Sequence, residues 1–321
     1  MNRIALCFFL LLQSSTLLAG SIRDHLTLEA GDGATLYLEV SGASRNLPLV
    51  LFLHGGPGAI THLVMFQSTV GPELESSFLV AYLHQRGTGK SSSVPDSEQT
   101  ISKNVSDVDR VVDYLTRTYG QKQVSLIGHS WGGMLAGAYV VSHPEKIQRL
   151  VLIATAMNFK VLLKDSYEGD LEWARRMGSS EAIRQLTALD GSFSTPDDFG
   201  TILGLADQAG GTAKGFDMDV FAHRLHIDRD FPDWKSRQQQ AIGALIPEML
   251  KLNLDSSMAQ LHIPVLFVSG ALDTIVRERT MRRDYENYHG PRSFVLLKRS
   301  HHLPFVDQPD ALARALRGFL T

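Results

Sequence analysis

The chain has 321 residues, enough to bury a large core and to form one large domain or one domain with an insertion. Its hydrophobic fraction of 44% and charged fraction of 20% are ordinary for a globular protein and argue against disorder. The net charge is −3 and the basic residues are dispersed, which argues against nucleic acid as a partner. The sequence has no His-Glu-x-x-His pattern, no cysteine pair and no phosphate-binding loop, so it indicates no metal and no cofactor.

The first 20 residues have the pattern of a signal peptide. A positively charged start at Arg3 is followed by an apolar run over residues 4–12 and by small residues over 14–20. The apolar run is shorter than the roughly 20 residues that a membrane span requires, although an uncleaved anchor stays an alternative. The only cysteine, Cys7, lies in this segment. We therefore expect an exported bacterial protein, periplasmic or secreted, with no disulfide and no stable membrane association once the segment is removed.

The residues that follow predict a mostly parallel sheet. Alternating apolar residues at 26–29 and 35–40 flank Gly31-Asp32-Gly33, which predicts a β-hairpin. Helical patterns such as residues 106–119 separate the later apolar runs, as in an α/β fold. These runs are typical of central strands covered on both faces, and they lie at 49–53, 78–83, 123–127, 149–154, 264–269 and 293–297.

A glycine-rich turn follows the first of these runs. Residues 54–58 read His-Gly-Gly-Pro-Gly, in which glycine lets a substrate carbonyl approach the backbone and Pro57 stiffens the turn. On its own the pattern is also typical of a plain turn. Beside a serine nucleophile, the backbone N–H of Gly56 would supply one donor of an oxyanion hole.

A second turn has the pattern of a serine nucleophile. The β-rich run at 123–127 is followed by a helical pattern, and Ser130 stands between them. Gly128 and Gly132 lie two positions away on either side, which gives the G-x-S-x-G elbow. Ser130 is therefore the candidate nucleophile, and the N–H of Trp131 is the candidate second oxyanion donor.

The partners of a serine nucleophile occur later in the chain, in the order Ser, Asp, His. Asp273 lies on a loop just past the run at 264–269, a position that suits the acid. The run at 293–297 leads into His301 and His302, and either of these histidines suits the base.

Residues 157–258 break the alternation of strands and helices, because they contain no comparable apolar run. Their helical patterns lie at residues 173–177, 181–186 and 241–252, with a loop at Gly210-Gly211. We expect a helical cap at 157–258, inserted into a core formed by residues 21–156 and 259–321, after a signal peptide at 1–20.

Four sequence blocks, taken together, are typical of one enzyme family. They are His-Gly-Gly-Pro-Gly at 54–58, Gln-Arg-Gly-Thr-Gly-Lys-Ser at 85–91, Gly-His-Ser-Trp-Gly-Gly at 128–133, and His-Leu-Pro-Phe at 302–305 with Asp307 and Pro309. The chain resembles the proline iminopeptidases, serine peptidases of the α/β-hydrolase superfamily. The resemblance covers about residues 26–156 and 259–321, and it implies an α/β-hydrolase fold with a mostly parallel central sheet and an inserted helical cap.

The resemblance also implies which histidine is the base. Members have His-x-Pro near the C-terminus, and only His302 stands two residues before Pro304, whereas His301 occupies a position that is commonly glycine. In a second departure, His84 stands where the family usually has Asp before Gln-Arg-Gly. We expect Arg86 to tie its loop to the core rather than to contact the substrate.

Proline iminopeptidases resemble one another in holding the free α-amine of a peptide with acidic cap residues. A protonated amine that leaves water needs a compensating carboxylate. None of the carboxylates in residues 157–258 stands in a family motif, and each by itself is more typical of a solvated surface charge, so no amine-binding residue is assigned. The candidates are Glu168, Glu172, Glu181, Glu248, Asp207, Asp217 and Asp219.

The sequence thus predicts a serine hydrolase that acts by two-step acyl transfer through Ser130, His302 and Asp273, with Gly56 and Trp131 as oxyanion donors. The leading hypothesis is an exported aminopeptidase that releases N-terminal residues, such as proline, from short peptides. One alternative is a carboxylester or small-amide hydrolase on the same scaffold. Another is a binding protein that kept the fold without turnover. The sequence predicts no oligomeric state.

Overall fold

The computed structural model describes residues 21–209 and 217–321. The predicted signal peptide at 1–20 and the loop predicted at Gly210-Gly211 lie outside the described residues. Within the described ranges, none of the helices combines the length and the apolar character that crossing a membrane requires.

The centre of the fold is an eight-stranded sheet. Its strands are β1 (Ile22–Glu29), β2 (Thr35–Gly42), β3 (Leu49–Leu53), β4 (Leu79–His84), β5 (Val124–His129), β6 (Ile147–Ile153), β7 (Val265–Gly270) and β8 (Arg292–Leu297). Their order in the sheet is β1-β2-β4-β3-β5-β6-β7-β8. β1 and β2 form the predicted hairpin, β2 is antiparallel to β4, and every pairing from β4 to β8 is parallel. The prediction of a mostly parallel sheet is confirmed.

One strand differs from its prediction. β8 lies at the edge of the sheet, and five of its six residues are exposed or partly buried. The expectation that it is a central strand covered on both faces is therefore wrong. Its apolar side chains Phe294 and Val295 pack against the core from the margin.

Helices cover both faces of the sheet. They are α1 (Ile60–Thr69), α2 (Gly71–Glu75), α3 (Ile101–Tyr119), α4 (Trp131–Ser142), α5 (Phe159–Met177), α6 (Ser180–Thr187), α7 (Pro196–Gln208), α8 (Met218–Arg224), α9 (Ile227–Asp230), α10 (Trp234–Met249), α11 (Asp255–Met258), α12 (Glu278–Asn287), α13 (Pro304–Asp307) and α14 (Pro309–Leu320). Side chains of α3, α4 and α12 pack on one face of the sheet, and those of α1, α2, α13 and α14 pack on the other.

Helix α3 shows how the sequence determines where a helix begins and ends. The Thr100 side chain accepts a hydrogen bond from the N–H of Lys103, and Gly120 ends the helix with a φ of 65°. The helix predicted at 106–119 therefore begins earlier than its apolar pattern suggests, because a capping threonine precedes it. Its buried apolar residues recur at helical spacing and include Val108, Val111, Val112 and Leu115.

The strand order places two turns next to each other. β3 pairs with β4 on one side and with β5 on the other, so the chain leaves β3 toward one half of the sheet and returns to the other half. In α/β sheets such a switch opens a crevice at the carboxyl ends of the strands. Leu53 at the end of β3 is the register partner of Gly128 in β5. The turn at 54–58 therefore lies beside Ser130.

Helices α5 to α11 lie between β6 and β7, and we call them the cap. The first two helical patterns predicted for this segment fall within α5 and α6. The third, predicted at 241–252, overlaps α10, which begins earlier, at Trp234, and ends at Met249, so residues 250–252 lie beyond the helix. Helix α10 packs on the core loops: a Cβ added to Gly58 would lie 2.9 Å from the Cβ of Ala241. From the same helix, Arg237 donates hydrogen bonds of 2.5 and 2.6 Å to the carbonyl oxygens of Gly89 and Ser91.

Arg86 joins the β4 loop to two other segments of the core. Its Nε and Nη2 donate to the two carboxylate oxygens of Asp107 at 2.8 and 2.7 Å, and its Nη1 donates to Asp32 at 2.9 Å. The Arg86 side chain is only 1% exposed. This fork of hydrogen bonds agrees with the structural role expected for Arg86.

We predict that Arg86→Met destabilises the protein by about 3–5 kcal/mol, because it leaves the buried carboxylate of Asp107 without its cationic partner. Urea unfolding followed by far-UV circular dichroism measures the change. The control is Arg184→Met, which removes an exposed ion pair with Glu181 and should change the free energy of unfolding far less, because solvent screens this pair. Equal losses in the two variants would contradict a structural role for Arg86.

Candidate active site

Ser130 stands at a tight turn between β5 and α4, with a φ of 53° and a ψ of −121°. Two glycines make this turn possible. A Cβ on Gly128 would overlap the carbonyl oxygen of Gly132, and a Cβ on Gly132 would overlap the carbonyl oxygen of Leu53. Positive φ is costly for a serine and persists only where the surrounding structure enforces it. The Ser130 side chain is thereby lifted from the end of the strand.

Three predicted site residues come together at this turn. Nε2 of His302 lies 3.0 Å from Oγ of Ser130, and Nδ1 of His302 lies 2.9 Å from Oδ2 of Asp273. The other oxygen of Asp273 accepts the backbone N–H groups of Ile275 and Val276 at 2.8 and 2.9 Å. The side chains of Asp273 and His302 are 0% and 5% exposed. The three residues form a continuous hydrogen-bonded chain that is closed to water at its acidic end.

The loops that carry Asp273 and His302 are bound to each other. A Cβ on Gly270 would overlap the carbonyl oxygen of His301, so only glycine permits this approach. The N–H of Leu272 donates to the carbonyl oxygen of Ser300 at 2.9 Å. The distance between acid and base is therefore set by backbone contacts as well as by the side chains.

His301 faces away from this chain of hydrogen bonds. Its backbone N–H donates to Oδ2 of Asp307 at 2.6 Å, and its Nδ1 lies 3.2 Å from the same oxygen. Of the two adjacent histidines, His302 is thus the one in contact with both Ser130 and Asp273.

A single glutamine joins the two turns that hold the candidate oxyanion donors. Nε2 of Gln85 donates to the carbonyl oxygen of His54 at 2.8 Å, beside Gly56, and Oε1 of Gln85 accepts from the indole Nε1 of Trp131 at 2.8 Å. Gln85 is 3% exposed. Sequence reasoning assigned Gln85 no role of its own, and its only signal was its place in the Gln-Arg-Gly block.

His129, the residue before Ser130, also contacts His302. Its Nε2 donates to the backbone carbonyl oxygen of His302 at 2.9 Å, so this nitrogen carries a proton. Complete burial and the neighbouring His302 hold the pKa of His129 well below its usual range. This contact could not be predicted from the sequence, since nothing local marks residue 129 as a partner of residue 302.

His84, the departure from the family pattern, has a defined local role. Its Nδ1 accepts the backbone N–H of Lys90 at 3.0 Å, and burial lowers its pKa to about 3. The ring packs against Tyr37 and Phe231, with centroids 4.9 and 5.8 Å apart. The neutral imidazole at the end of β4 thus holds the following loop through its hydrogen bond to Lys90.

Most carboxylates nominated in the cap have other partners. Glu168 pairs with Arg279, Glu181 with Arg184, and Asp219 with Lys235, while Glu248 accepts the N–H of Ile101 and Asp217 caps α8. Asp207 also has a partner. Glu172 is exposed and lines a cavity of about 370 Å³ whose wall includes Asp273 and Arg277.

Within the described ranges, no cluster of three or more His, Cys, Asp or Glu side chains could hold a metal ion.

We predict that three buried histidines contribute a loss in the free energy of unfolding as the pH drops below about 6.5. Burial lowers the pKa of His54 to about 4 and those of His62 and His84 to about 3. These rings bind protons in the unfolded chain, near pH 6.5, before they do so in the folded chain. The contribution of these rings to stability is therefore fully present above pH 6.5 and is lost as the pH falls toward 4, at up to about 1.4 kcal/mol per pH unit for each ring.

Urea titrations between pH 7.5 and 4.5 measure this slope. His84→Asn keeps an acceptor for the N–H of Lys90 but cannot titrate, so it should reduce the slope by about 1.4 kcal/mol per pH unit. The same substitution at an exposed position, His289→Asn, serves as the control. A full slope in His84→Asn would show that His84 is not a proton-linked group.

A family model described as the alpha/beta hydrolase fold matches residues 48–309. A probable aminopeptidase, YbaC of Bacillus subtilis, is 25% identical, covering 87% of this chain and 91% of its own. The proline iminopeptidase of Lactobacillus delbrueckii subsp. bulgaricus is also 25% identical, covering 88% and 93%. A pimeloyl-[acyl-carrier protein] methyl ester esterase of Aeromonas hydrophila is 26% identical, covering 85% and 95%.

Solved structures agree on the fold. An esterase from Exiguobacterium antarcticum superposes with a TM-score of 0.65 at 19% identity, covering 92% of this chain and 99% of its own. The chain therefore belongs to the α/β-hydrolase fold family and is a hydrolase.

Proposed function

We propose that the protein is a serine hydrolase in which Ser130 is the nucleophile, His302 the general base and Asp273 the orienting acid. The observation that carries this proposal is the hydrogen-bonded chain from Oγ of Ser130 through His302 to Asp273, with distances of 3.0 and 2.9 Å. An activated serine requires a base within hydrogen-bond reach and a third group that orients the base.

In this mechanism Nε2 of His302 takes the hydroxyl proton as Oγ of Ser130 attacks the substrate carbonyl carbon. Asp273 holds the proton on Nδ1 of His302 and stabilises the imidazolium that forms. The imidazolium then protonates the leaving group, and an acyl-enzyme remains on Ser130. A water molecule, deprotonated by His302, then attacks the carbonyl carbon of the acyl-enzyme. The bond from that carbon to Oγ of Ser130 breaks, His302 returns the proton to Oγ, and the acid is released.

The backbone N–H groups of Gly56 and Trp131 would receive the oxyanion of each tetrahedral intermediate. Trp131 is the first residue of α4, where N–H groups have no partner within the helix and the helix dipole favours negative charge. Gln85 supports the assignment because it joins Trp131 to the turn that contains Gly56. Loss of one such donor typically reduces the rate about 10²–10³-fold.

For the substrate, we propose an aminopeptidase that releases N-terminal residues from short peptides, as proline iminopeptidases do. The support is the combination of the blocks at 54–58 and 85–91 with relatives named as an aminopeptidase and a proline iminopeptidase. The second candidate is a carboxylester or small-amide hydrolase. It is favoured by the engagement of most nominated cap carboxylates with other partners, and by a relative named as a methyl ester esterase.

Hydrolysis of a prolyl amide reporter, its N-acetylated form and a short acyl ester distinguishes the two candidates. An aminopeptidase should cleave only the compound with a free amine, because an acetylated amine carries no charge for a carboxylate to bind. Ester turnover without preference for a free amine would make the esterase primary.

Ser130→Ala should reduce turnover of every substrate by about 10⁴-fold or more, because no other hydroxyl replaces the nucleophile. The control is Ser106→Ala, which removes an exposed hydroxyl on α3 and should keep full activity. Unchanged turnover in Ser130→Ala would contradict the mechanism. It would favour the alternative hypothesis of a binding protein that kept the fold without turnover.

We also propose that the protein is exported, on the strength of the charged start, apolar run and small residues within positions 1–20. Expression of the full chain in a Gram-negative host should yield a mature protein that begins near residue 21 and lies in the periplasm or medium. N-terminal sequencing of the fractionated protein measures this, and an intact Met1 in the cytoplasmic fraction would overturn export.

A further inference from the structure

The position of the Asp273 carboxylate depends on the backbone that follows it. Its Oδ1 accepts the N–H groups of Ile275 and Val276, so the side chain closes a turn over its own loop. Any contact that fixes residues 274–277 therefore also fixes the carboxylate that His302 contacts.

Two of these contacts come from neutral cap groups. Oγ1 of Thr274 donates to the carbonyl oxygen of Ala206 in α7 at 2.7 Å. Oγ of Ser166 in α5 donates to the carbonyl oxygen of Ile275 at 2.7 Å. The loop that carries Asp273 is thus bonded to two different helices of the cap.

The third contact is a buried ion pair at the end of the loop. Nη2 of Arg277 donates to Oδ1 of Asp170 in α5 at 3.0 Å, and the two side chains are 21% and 0% exposed. A Cβ on Gly169 would overlap the guanidinium of Arg277, so the cation lies directly on the helix backbone. Glycine at position 169 is what allows the guanidinium to reach Asp170.

Stability does not account for this pair. Oδ2 of Asp170 and Nε of Arg277 are buried without a hydrogen bond among the described residues, whereas the Arg86–Asp107 pair forms two hydrogen bonds. Burial also raises the pKa of Asp170 to about 7 despite the neighbouring cation. A buried pair with incomplete hydrogen bonding recovers little of its desolvation cost.

We propose that Asp170 and Arg277 are positioning residues that make the orientation of Asp273, and thus the strength of the base His302, depend on how the cap is seated. This inference rests on the proposed serine mechanism. The pair contacts neither Ser130 nor His302, so it acts only through the loop at 274–277. When α5 lies in place, the loop is held at three points and Asp273 faces His302; without the pair, the end of the loop is released.

The test compares Asp170→Asn, Arg277→Met and Gly169→Ala with Gly204→Ala. Gly169→Ala keeps both charges but displaces the guanidinium, whereas the Cβ of Gly204→Ala, also on a cap helix, meets open space. Two readouts are needed: steady-state kcat and KM, and the rate at which a fluorophosphonate reacts with Ser130. The phosphonylation rate reports activation of Ser130 whichever substrate class is natural.

The first three variants should lower kcat and the phosphonylation rate about 10-fold to 100-fold, with KM changed less than about twofold, as a misplaced group would do. Gly204→Ala should match the wild type. The double variant Asp170→Asn/Arg277→Met should be no slower than either single variant, because both break the same contact.

Two results would overturn the inference: kcat and phosphonylation at wild-type rates in the three variants, or a rise in KM alone, which would place the pair in substrate binding. If Asp170→Asn fails to fold, Gly169→Ala decides, because it removes no buried group. Ser130→Ala distinguishes failure of the serine mechanism from failure of the positioning role. A wild-type reaction rate in that variant refutes the serine mechanism itself, whereas its loss alongside unaffected pair variants refutes only the positioning role.

Discussion

The site depends on one close approach of backbone, where the first turn of α4 lies against the end of β3. The Cα of Gly132 leaves no space for a side chain beside the carbonyl oxygen of Leu53. This approach brings the start of α4, the Ser130 turn and the loop at 54–58 into one crevice. A single methyl group at position 132 would push β3 and the helix apart and separate the two candidate oxyanion donors. The positions of Ser130 and of the two candidate oxyanion donors therefore depend on this backbone contact.

The sheet and the order of the candidate catalytic side chains could be predicted from the sequence because both leave local signals. A strand buried on both faces is a run of apolar residues, and a sharp strand-to-helix turn requires glycine at fixed offsets, so β3 to β7 and Ser130 were identifiable. Asp273 was identifiable because it directly follows a strand. The placement of β8 at the edge left no such signal, because an apolar run does not indicate whether another strand pairs with it on its far side.

Contacts made by the cap were beyond sequence reasoning. A carboxylate in a helix has the same sequence pattern whether it is solvated or buried, and Asp170, the fully buried one, was not among the residues nominated. Gln85 and His129 were missed for a related reason, because their partners lie far away in the chain and depend on the strand order. The choice of His302 over His301 came from family resemblance, and the structure gives it a physical basis in the different partners of the two rings.

The contact between His129 and the carbonyl oxygen of His302 has a consequence for the energetics of proton transfer. Two consecutive residues contact His302 at different groups. The ring of His129 bonds to the backbone carbonyl oxygen of His302, and the hydroxyl of Ser130 bonds to the His302 ring. In the proposed mechanism, the donor and the acceptor of the proton are therefore linked by this additional hydrogen bond. Such a link limits how far the two groups can separate, and a preorganised pair needs little reorganisation before a proton moves.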